Sequence, residues 1–285
     1  MDKLLLRRRM LMNTNHDFST PGWDGCFWAY YDVNDTTNAT QLLGSTTGLI
    51  GPMIVDGEEQ TLATTYTFST TGIHLVKFRY NSTLNKTFSS ANIKRLTELY
   101  FPLNSVAINS KNSNSPIYNL NGIVSIKADG PVDNMICLNY STSTANATID
   151  IELNNLTNWT LVRSNNVTRK LIAKGTYSSI PGSAILGFNA TNNYRYIWIE
   201  SPNLTTINNY NFINMNKIQT IVVNVATPPT MTGSKYWTST NSTFKLYVPY
   251  SNDHSILNAY KSATGWSTVA SQIYELTENG QIPTT

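Results

Sequence analysis

The chain has 285 residues, with 20 lysines and arginines against 17 aspartates and glutamates, so its formal net charge is only +3. Charged residues make up 13% of the chain, against the ~25% usual in soluble domains, while Asn, Ser and Thr together supply 99 residues. A hydrophobic share of 40% excludes intrinsic disorder, and no apolar run approaches the ~18 residues of a membrane span. Scattered cations also provide no concentrated basic surface for binding nucleic acid.

The abundant residue types predict a mainly β fold. Thr, Tyr, Trp, Val and Ile favour strands, whereas Asn and Ser favour turns. The surface should be polar yet carry few charges that repel neighbours. This composition favours a wall of an assembly over a free cytosolic enzyme.

Residues 1–22 are predicted to form an N-terminal docking arm. Apolar side chains there surround a triplet of arginines, and the candidate docking residues are Leu4, Leu5, Leu6, Arg7, Arg8, Arg9, Met10, Leu11 and Met12. The apolar side chains would enter a groove of a partner, and the arginines would pair with carboxylates at its rim. A membrane-surface helix and an element packed on its own chain remain alternatives. Because the cations interrupt the apolar run and no small-residue cleavage site follows, we expect no secretory signal.

Residues 23–80 are predicted to form a small antiparallel β domain. The segments 27–33 and 73–80 alternate in the manner of strands, and Asp56-Gly57 is typical of a turn after the strand at 53–55. Alternation places His74 on one strand face with Val76 and Phe78. We therefore interpret His74 as a sheet residue.

Residues 81–240 show a different spacing, with apolar residues at i, i+3 and i+5 in the segments 96–102, 194–199 and 218–223. The last two segments start 24 residues apart, within the range of leucine-rich repeats. This pattern predicts degenerate repeat-like coils whose short strands stack on one another. Residues 109–190 interrupt the spacing and are predicted to contain an inserted β-sheet element.

Residues 241–285 are predicted to form a cap of a strand followed by a short helix. The segment 244–249 is a strand that ends at a proline, and Ile256, Ala259 and Tyr260 follow at helical spacing. Trp266, with Tyr260 and Val269, would close the open end of the coil stack. Solenoids require such caps because their last coil otherwise exposes its core.

No residue set in the sequence supports catalysis. The three histidines lack metal-ligand spacing, and no nucleophile elbow, P-loop or dinucleotide fingerprint is present. We therefore expect no enzymatic activity, no cofactor and no catalytic metal. The acidic residues that come closest to a site are interpreted as solvated turns: Asp56, Glu58 and Glu59.

Two minor features leave alternatives open. Asp32, Asn34 and Asp35 are similar to the start of a calcium loop but lack its trailing Glu, so a solvated loop is favoured. Cys26 and Cys137 could form a bridge, although two distant cysteines without a secretory signal are more often free thiols.

Several segments resemble BspA-like leucine-rich-repeat proteins. The segments 246–249, 259–267 and 270–273 resemble the terminal part of these proteins. The segments 96–102 and 226–230 are similar to pieces of their repeats, and 66–78 is similar to a small β module that often precedes them. The opening Leu-Leu-Leu-Arg-Arg-Arg-Met-Leu-Met resembles the start of such proteins in Bacteroides-type gut phages and prophages. The chain departs from the family in its few, degenerate repeats and its long insertion.

The resemblance, with the low charge and the arm, implies a structural protein of a tailed phage virion. It would be a head fibre, a capsid-decorating protein or a tail-attached protein, held to other virion proteins by its arm and assembled as a homotrimer or homodimer. The alternative is an adhesin of the same family that binds host-surface carbohydrate, with Trp198 and Trp237 as stacking platforms. Neither hypothesis requires nucleic acid or membrane insertion.

Overall fold

The computed structural model describes residues 25–81, 84, 87–89, 93–102, 108–109, 117–118, 125–134, 149–159, 168–185, 194–234, 236–238 and 240–284. Most of the strands in these residues belong to one sheet of 14 strands. The other strands form two pairs and one three-stranded sheet. The prediction of a mainly β fold is confirmed.

The strands are short and follow one another along the chain. In chain order they are β1 (Cys26–Val33), β2 (Thr40–Gln41), β3 (Leu49–Val55), β4 (Glu58–Gln60), β5 (Thr65–Tyr66), β6 (Gly72–Tyr80), β7 (Phe88–Ser89), β8 (Leu96–Phe101), β9 (Ile108–Asn109), β10 (Ile117–Tyr118), β11 (Ser125–Ala128), β12 (Val132–Asn134), β13 (Ile149–Leu156), β14 (Thr168–Gly175), β15 (Ser179–Ile180), β16 (Tyr196–Glu200), β17 (Thr206–Ile207), β18 (Thr220–Val223), β19 (Thr230–Met231), β20 (Lys245–Val248) and β21 (Ile273–Glu275). Helix α1 (Ser255–Ser262) and a 3₁₀ helix (Ser267–Gln272) lie between the last two strands.

The large sheet has an antiparallel part and a parallel part. Its strand order is β4-β3-β6-β1-β8-β11-β13-β14-β16-β18-β20-β21, and β9 and β12 pair beside this path. The strands β4, β3, β6 and β1 are antiparallel, which confirms the predicted antiparallel module. From β8 onward the neighbours in this path pair parallel, which is the arrangement of stacked coils. Because β1 also pairs with β8, the module and the coils share one sheet.

The apolar spacing seen in the sequence corresponds to the core of the coils. In β8 the residues at i, i+3 and i+5, Leu96, Leu99 and Phe101, are all buried. The equivalent residues before and within β16 and β18 are buried as well: Tyr194, Ile197, Ile199, Ile218, Ile221 and Val223. Ile197 pairs directly with Ile221, 24 positions later. The predicted repeat is therefore confirmed, and burying these side chains against the neighbouring coils supplies its main stabilisation.

The described strands between residues 109 and 190 lie within the same stack. β11, β13 and β14 pair in parallel between β8 and β16, and their inward residues Ile126, Ile151 and Leu171 continue the buried column. These residues form strands, as predicted. The register shows that β11, β13 and β14 extend the coil stack from β8 to β16.

Polar side chains bind the backbone of the preceding coil on the return side. There β15, β17 and β19 form a second parallel sheet. The buried Ser201 hydroxyl donates to the Tyr177 carbonyl at 2.6 Å, and the Thr205 hydroxyl donates to the Ser178 carbonyl at 3.2 Å. Since turn backbone groups cannot all pair with one another, Ser, Thr and Asn side chains satisfy the remainder. This explains part of their unusual abundance.

The C-terminal end of the stack is closed by aromatic side chains. Trp266 and Tyr260 are fully buried, and Val269 is 7% exposed. The Trp266 indole donates to the Pro229 carbonyl at 2.8 Å, and the Tyr260 hydroxyl donates to the Val225 carbonyl at 2.8 Å. The predicted cap is therefore confirmed, with its polar tips paired and its rings in the core.

Candidate functional site

The outward side of the large sheet carries a row of aromatic and charged side chains. Residues on this side alternate with the core residues, and parallel pairing sets them beside one another from coil to coil. We call this row the outer row; its members are Trp28, Tyr100, Lys127, Glu152, Ile172, Trp198, Val222, Tyr247 and Tyr274.

One polar cluster, here the Tyr100 cluster, is formed by Tyr100, Lys127, Asp129, Glu152 and Asn154. The Tyr100 hydroxyl donates to one Asp129 carboxylate oxygen at 2.8 Å, and the Asn154 amide donates to the other at 2.7 Å. The Asn154 amide also lies 3.1 Å from a Glu152 oxygen. Lys127 Nζ is 3.3 Å from Asp129 and 5.7 Å from the centre of the Tyr100 ring. Side chains from three neighbouring strands, β8, β11 and β13, and from the residue that follows β11 thus meet at one point of the surface.

A second cluster, here the Trp198 cluster, is formed by Lys174, Trp198, Glu200 and Asn224. The Trp198 indole donates to a Glu200 carboxylate oxygen at 2.7 Å, and the Asn224 amide donates to the same oxygen at 3.1 Å. Lys174 Nζ lies 3.5 Å from Glu200 and 5.0 Å from the centre of the Trp198 ring. This cluster therefore repeats the chemistry of the Tyr100 cluster: an aromatic donor, a carboxylate, an amide and a lysine over the ring.

The two clusters lie on the same sheet face, four strand steps apart. Tyr100 is on β8 and Trp198 on β16, with β11, β13 and β14 between them. At ~4.8 Å for each step, the aromatic side chains are about 19 Å apart. The intervening residues Lys127, Glu152 and Ile172 are partly exposed.

The hydrogen bonds of the clusters keep Asp129 and Glu200 ionised. Burial raises the pKa of Asp129, but donors from Asn154 and Tyr100 and the charge of Lys127 outweigh it, so the net shift is downward. Burial likewise raises the pKa of Glu200, and Asn224, Trp198 and Lys174 reverse the shift. Both groups therefore carry full negative charge at neutral pH, each beside a lysine.

Two members of the outer row beyond Trp198, Val222 and Tyr247, are covered by the chain itself, whereas the last member, Tyr274, is 44% exposed. After β21 the backbone turns, and Leu276 packs with Val222 and Tyr247 in a small apolar cluster that Trp198 and Ile282 join from the side. Val222 is fully buried and Tyr247 is 4% exposed. The continuous open stretch of the outer row is consequently the mixed polar and aromatic part from Tyr100 to Trp198, separated from the exposed Tyr274 by two buried residues.

The two tryptophans predicted as stacking platforms have different surroundings. Trp198 lies on the outer row, partly exposed. Trp237 lies beneath the cap, where its ring stacks on Phe212 at 4.8 Å and on Phe244 at 5.5 Å, and its indole donates to the Gly265 carbonyl at 2.9 Å. Both neighbouring rings are buried, whereas the Trp237 side chain itself is partly exposed, like that of Trp198.

Of the acidic residues noted in the sequence, Asp35 and Asp56 lie in turns, whereas Glu58 and Glu59 are exposed residues of β4 and the interpretation as turn residues is wrong for them. Asp35 accepts hydrogen bonds from the backbone and hydroxyl of Thr37 and from the Asn38 amide. Asp56 sits at the turn after β3 and binds the buried His74, with Oδ2 and Nδ1 2.6 Å apart. No group of three His, Cys, Asp or Glu side chains suitable for a metal occurs among the residues described.

The remaining predictions from the sequence concern the N-terminal arm, the cysteines and membrane insertion. The candidate docking residues from Leu4 to Met12 lie outside the described residues, as does Cys137. Cys26 is buried at the start of β1. Within the part of the chain that the structure describes, no helix has the length and hydropathy needed to cross a bilayer.

Comparison with known proteins adds no relative. No family model matches the chain, and no curated protein or solved structure matches it either. The resemblance stated from the sequence therefore stays a prediction.

Sequence reasoning missed most residues of the two clusters. Of their members it singled out Trp198 alone. A signal was present, because Lys127, Lys174 and Glu200 occupy strand positions between or next to core residues and must face outward. Only the strand register shows that residues 25 or more positions apart, such as Tyr100 and Asp129, meet.

Proposed function

We propose that the chain is a non-enzymatic structural protein of a tailed bacteriophage virion. It would be a head fibre, a capsid-decorating protein or a tail-attached protein, anchored by its N-terminal arm and exposing its β-rich body. The single observation that carries this proposal is the uninterrupted sheet from β4 to β21 with a closed C-terminal end. A virion component needs such a body because it must stay folded outside the cell.

The composition and the sequence resemblance support the same proposal. Polar side chains such as those of Ser201 and Thr205 bind backbone groups of neighbouring coils. Only 13% of the residues are charged, so the surface carries few charges that would repel neighbouring copies. The opening segment resembles that of phage proteins with BspA-like repeats. A symmetric homo-oligomer, a trimer or a dimer, is the expected state in the particle.

Deletion of residues 1–12 tests the proposal. We expect the truncated protein to unfold at the same urea concentration as the full chain but to be absent from purified particles. As a matched control, replacing Arg7, Arg8 and Arg9 with lysine keeps the charge and should preserve incorporation at least in part. Normal incorporation of the truncated protein would contradict anchoring by the arm, and absence of the full chain from purified virions would contradict a virion role altogether.

A second candidate function is recognition of host-surface carbohydrate. The specific observation that favours it is the open stretch of the outer row, where aromatic rings lie beside carboxylate and amide groups. Binding to a glycan array would support this function, and a flat array would contradict it. Localisation to bacterial cell surfaces in place of virions would favour a cellular adhesin over a phage protein.

A further inference from the structure

We propose that the Tyr100 cluster and the Trp198 cluster are two equivalent subsites for one linear, neutral, hydroxyl-rich polysaccharide strand that lies along the outer row. The inference deepens the second candidate function and rests on it. It does not depend on whether the protein belongs to a virion. Nothing in it requires catalysis.

The equivalence of the clusters is chemical and does not come from a repeated sequence. In each cluster an aromatic N–H or O–H donates to a carboxylate, and an amide from a neighbouring coil donates to that same carboxylate. In each, a lysine on the sheet lies over the aromatic ring, at 5.7 Å in one and 5.0 Å in the other. The carboxylate is an aspartate in one case and a glutamate in the other, so the same set of groups is assembled twice from different residues.

The balance of charge selects the class of ligand. Asp129, Glu152 and Glu200 are each within 4.0 Å of a lysine Nζ. A polyanion would meet these carboxylates and a polycation would meet the lysines, so both are disfavoured. An uncharged polymer with many hydroxyl groups can donate to the carboxylates and accept from the ammonium and amide groups.

The aromatic rings supply the apolar part of the site. A ring face carries partial negative charge and attracts the polarised C–H groups on the face of a sugar as it attracts an ammonium group. The lysine now above each ring has a flexible stem and a side chain at least 36% exposed, so it can move aside and donate to the ligand instead. Each cluster thus combines one stacking surface with several hydrogen-bonding groups.

The sheet geometry favours a polysaccharide strand over a peptide strand. Edge pairing needs free backbone groups, whereas this surface is a sheet face that presents side chains only. Val222 and Tyr247 of the outer row are already covered by Leu276 and Ile282. The two similar subsites are joined by an open stretch of about 19 Å, which suits a chain with a repeating chemical unit.

Simultaneous occupation of both subsites has a measurable consequence. A long oligosaccharide that engages the first subsite meets the second at high effective concentration, whereas a short one cannot reach it. Affinity should therefore rise steeply once the oligosaccharide is long enough to span both clusters. Short oligosaccharides should bind with two molecules per chain.

The test begins with a glycan array of neutral, amino and acidic oligosaccharides and continues by calorimetry with a length series of the best binder. Asp129→Asn and Glu200→Gln each remove one carboxylate charge without changing shape. We expect either change to weaken the long oligosaccharide roughly tenfold and both together roughly a hundredfold, as for two additive contacts of moderate strength. Either change should reduce the number of bound short oligosaccharides from two to one.

Two sets of controls separate local from global effects. Tyr100→Phe and Trp198→Phe keep a ring in each cluster but remove its hydrogen-bond donor, and they serve if a carboxylate variant unfolds. Tyr210→Ala removes an aromatic side chain of 39% exposure outside the outer row and should leave binding unchanged. Urea unfolding of each variant checks that the fold is intact.

The outcomes distinguish this inference from the function on which it rests. Glycan binding that survives the double carboxylate variant would overturn the placement of the site while leaving carbohydrate recognition standing. Binding to acidic glycans only would overturn the ligand class. A flat array with folded protein would overturn both the recognition function and this inference, but not the proposed role in the virion.

Discussion

The ring of Trp237 stacks on that of Phe212, with ring centres 4.8 Å apart and planes only 6° from parallel. Phe244 also stacks on the indole, with ring centres 5.5 Å apart. Trp237 is therefore part of the packing beneath the C-terminal cap, and its role is best tested as stability.

The change Trp237→Ala should lower the free energy of unfolding by about 2–3 kcal/mol, because it leaves a cavity between two rings and removes the donor to the Gly265 carbonyl. This loss of free energy would be measured by urea denaturation, with unfolding monitored by the circular dichroism of the backbone. Trp198→Phe, on the outer row, serves as the control with a smaller loss. Unchanged stability of Trp237→Ala, or glycan binding lost without any loss of stability, would show that the stack is not structural.

Ser201 and Thr168 test whether the polar side chains stabilise the coils. Ser201→Ala leaves the Tyr177 carbonyl without its 2.6 Å hydrogen bond and should cost about 1–2 kcal/mol. The buried Thr168 hydroxyl has no hydrogen-bond partner among the described residues, so the equally sized Thr168→Val should be neutral or stabilising. Urea midpoints of the two variants give the comparison. Equal losses from both would contradict a specific role for coil-to-coil hydrogen bonds.

The cap should control the stability of the last coils more than that of the first. Tyr260→Phe keeps the ring but leaves the Val225 carbonyl unpaired, at a cost of about 1 kcal/mol. In a stack of coils such a loss is expected to increase opening near the cap. Amide hydrogen exchange should therefore accelerate in β18, β20 and β21 while β1 and β6 keep their protection. Uniform acceleration would indicate that the sheet opens as one unit.

Partly buried tyrosines should make the protein sensitive to alkali. The pKa of Tyr30 is raised to about 12 by burial and, to a smaller extent, by the charge of Glu98. The pKa of Tyr196 is raised to about 12 by burial and, to a smaller extent, by the charge of Glu152. Because the pKa values are raised in the folded state, the contribution of these two tyrosines to the free energy of unfolding is fully present below pH ~10. It is lost as the pH rises from ~10 through ~12. Urea midpoints should fall across this window, and the double change Tyr30→Phe and Tyr196→Phe should flatten the fall. Phenolate absorbance that titrates fully near pH ~10 in the native protein would contradict this.

The carboxylates of the two clusters should give the opposite dependence in acid. Because the pKa values of Asp129 and Glu200 are lowered in the folded protein, their stabilisation is present above the unfolded values near ~4 and declines as the pH falls below them. The double change Asp129→Asn and Glu200→Gln should therefore reduce the acid-side loss of stability measured in urea. The Asp129 side chain is 26% exposed and the Glu200 side chain 34%, so added salt should also reduce the effect. If the double variant lost as much stability in acid as the unchanged protein, the assigned hydrogen bonds would be contradicted.

The sequence predicted the core well and the outer surface poorly. Apolar spacing identified Leu99, Ile197 and Ile221 as coil residues because burial acts on each side chain separately and leaves a periodic trace. The same reasoning separated 109–190 as an inserted element, since its spacing is irregular, although strand pairing makes β11, β13 and β14 part of the stack. Because the turns between the strands differ in length, a search for one fixed spacing of apolar residues does not detect this repeat.

The sequence by itself determined that this protein is mainly β, that its repeated strands stack as coils and that aromatic residues close its C-terminal end. These properties follow from residue preference and periodicity, which are local. Only the tertiary structure decided that Trp237 stacks on Phe212 and Phe244 while Trp198 lies on the outer row, and that Tyr100 and Asn154 meet at Asp129. Such contacts depend on the strand register, because parallel coils place residues of the same register position side by side whatever their distance along the chain.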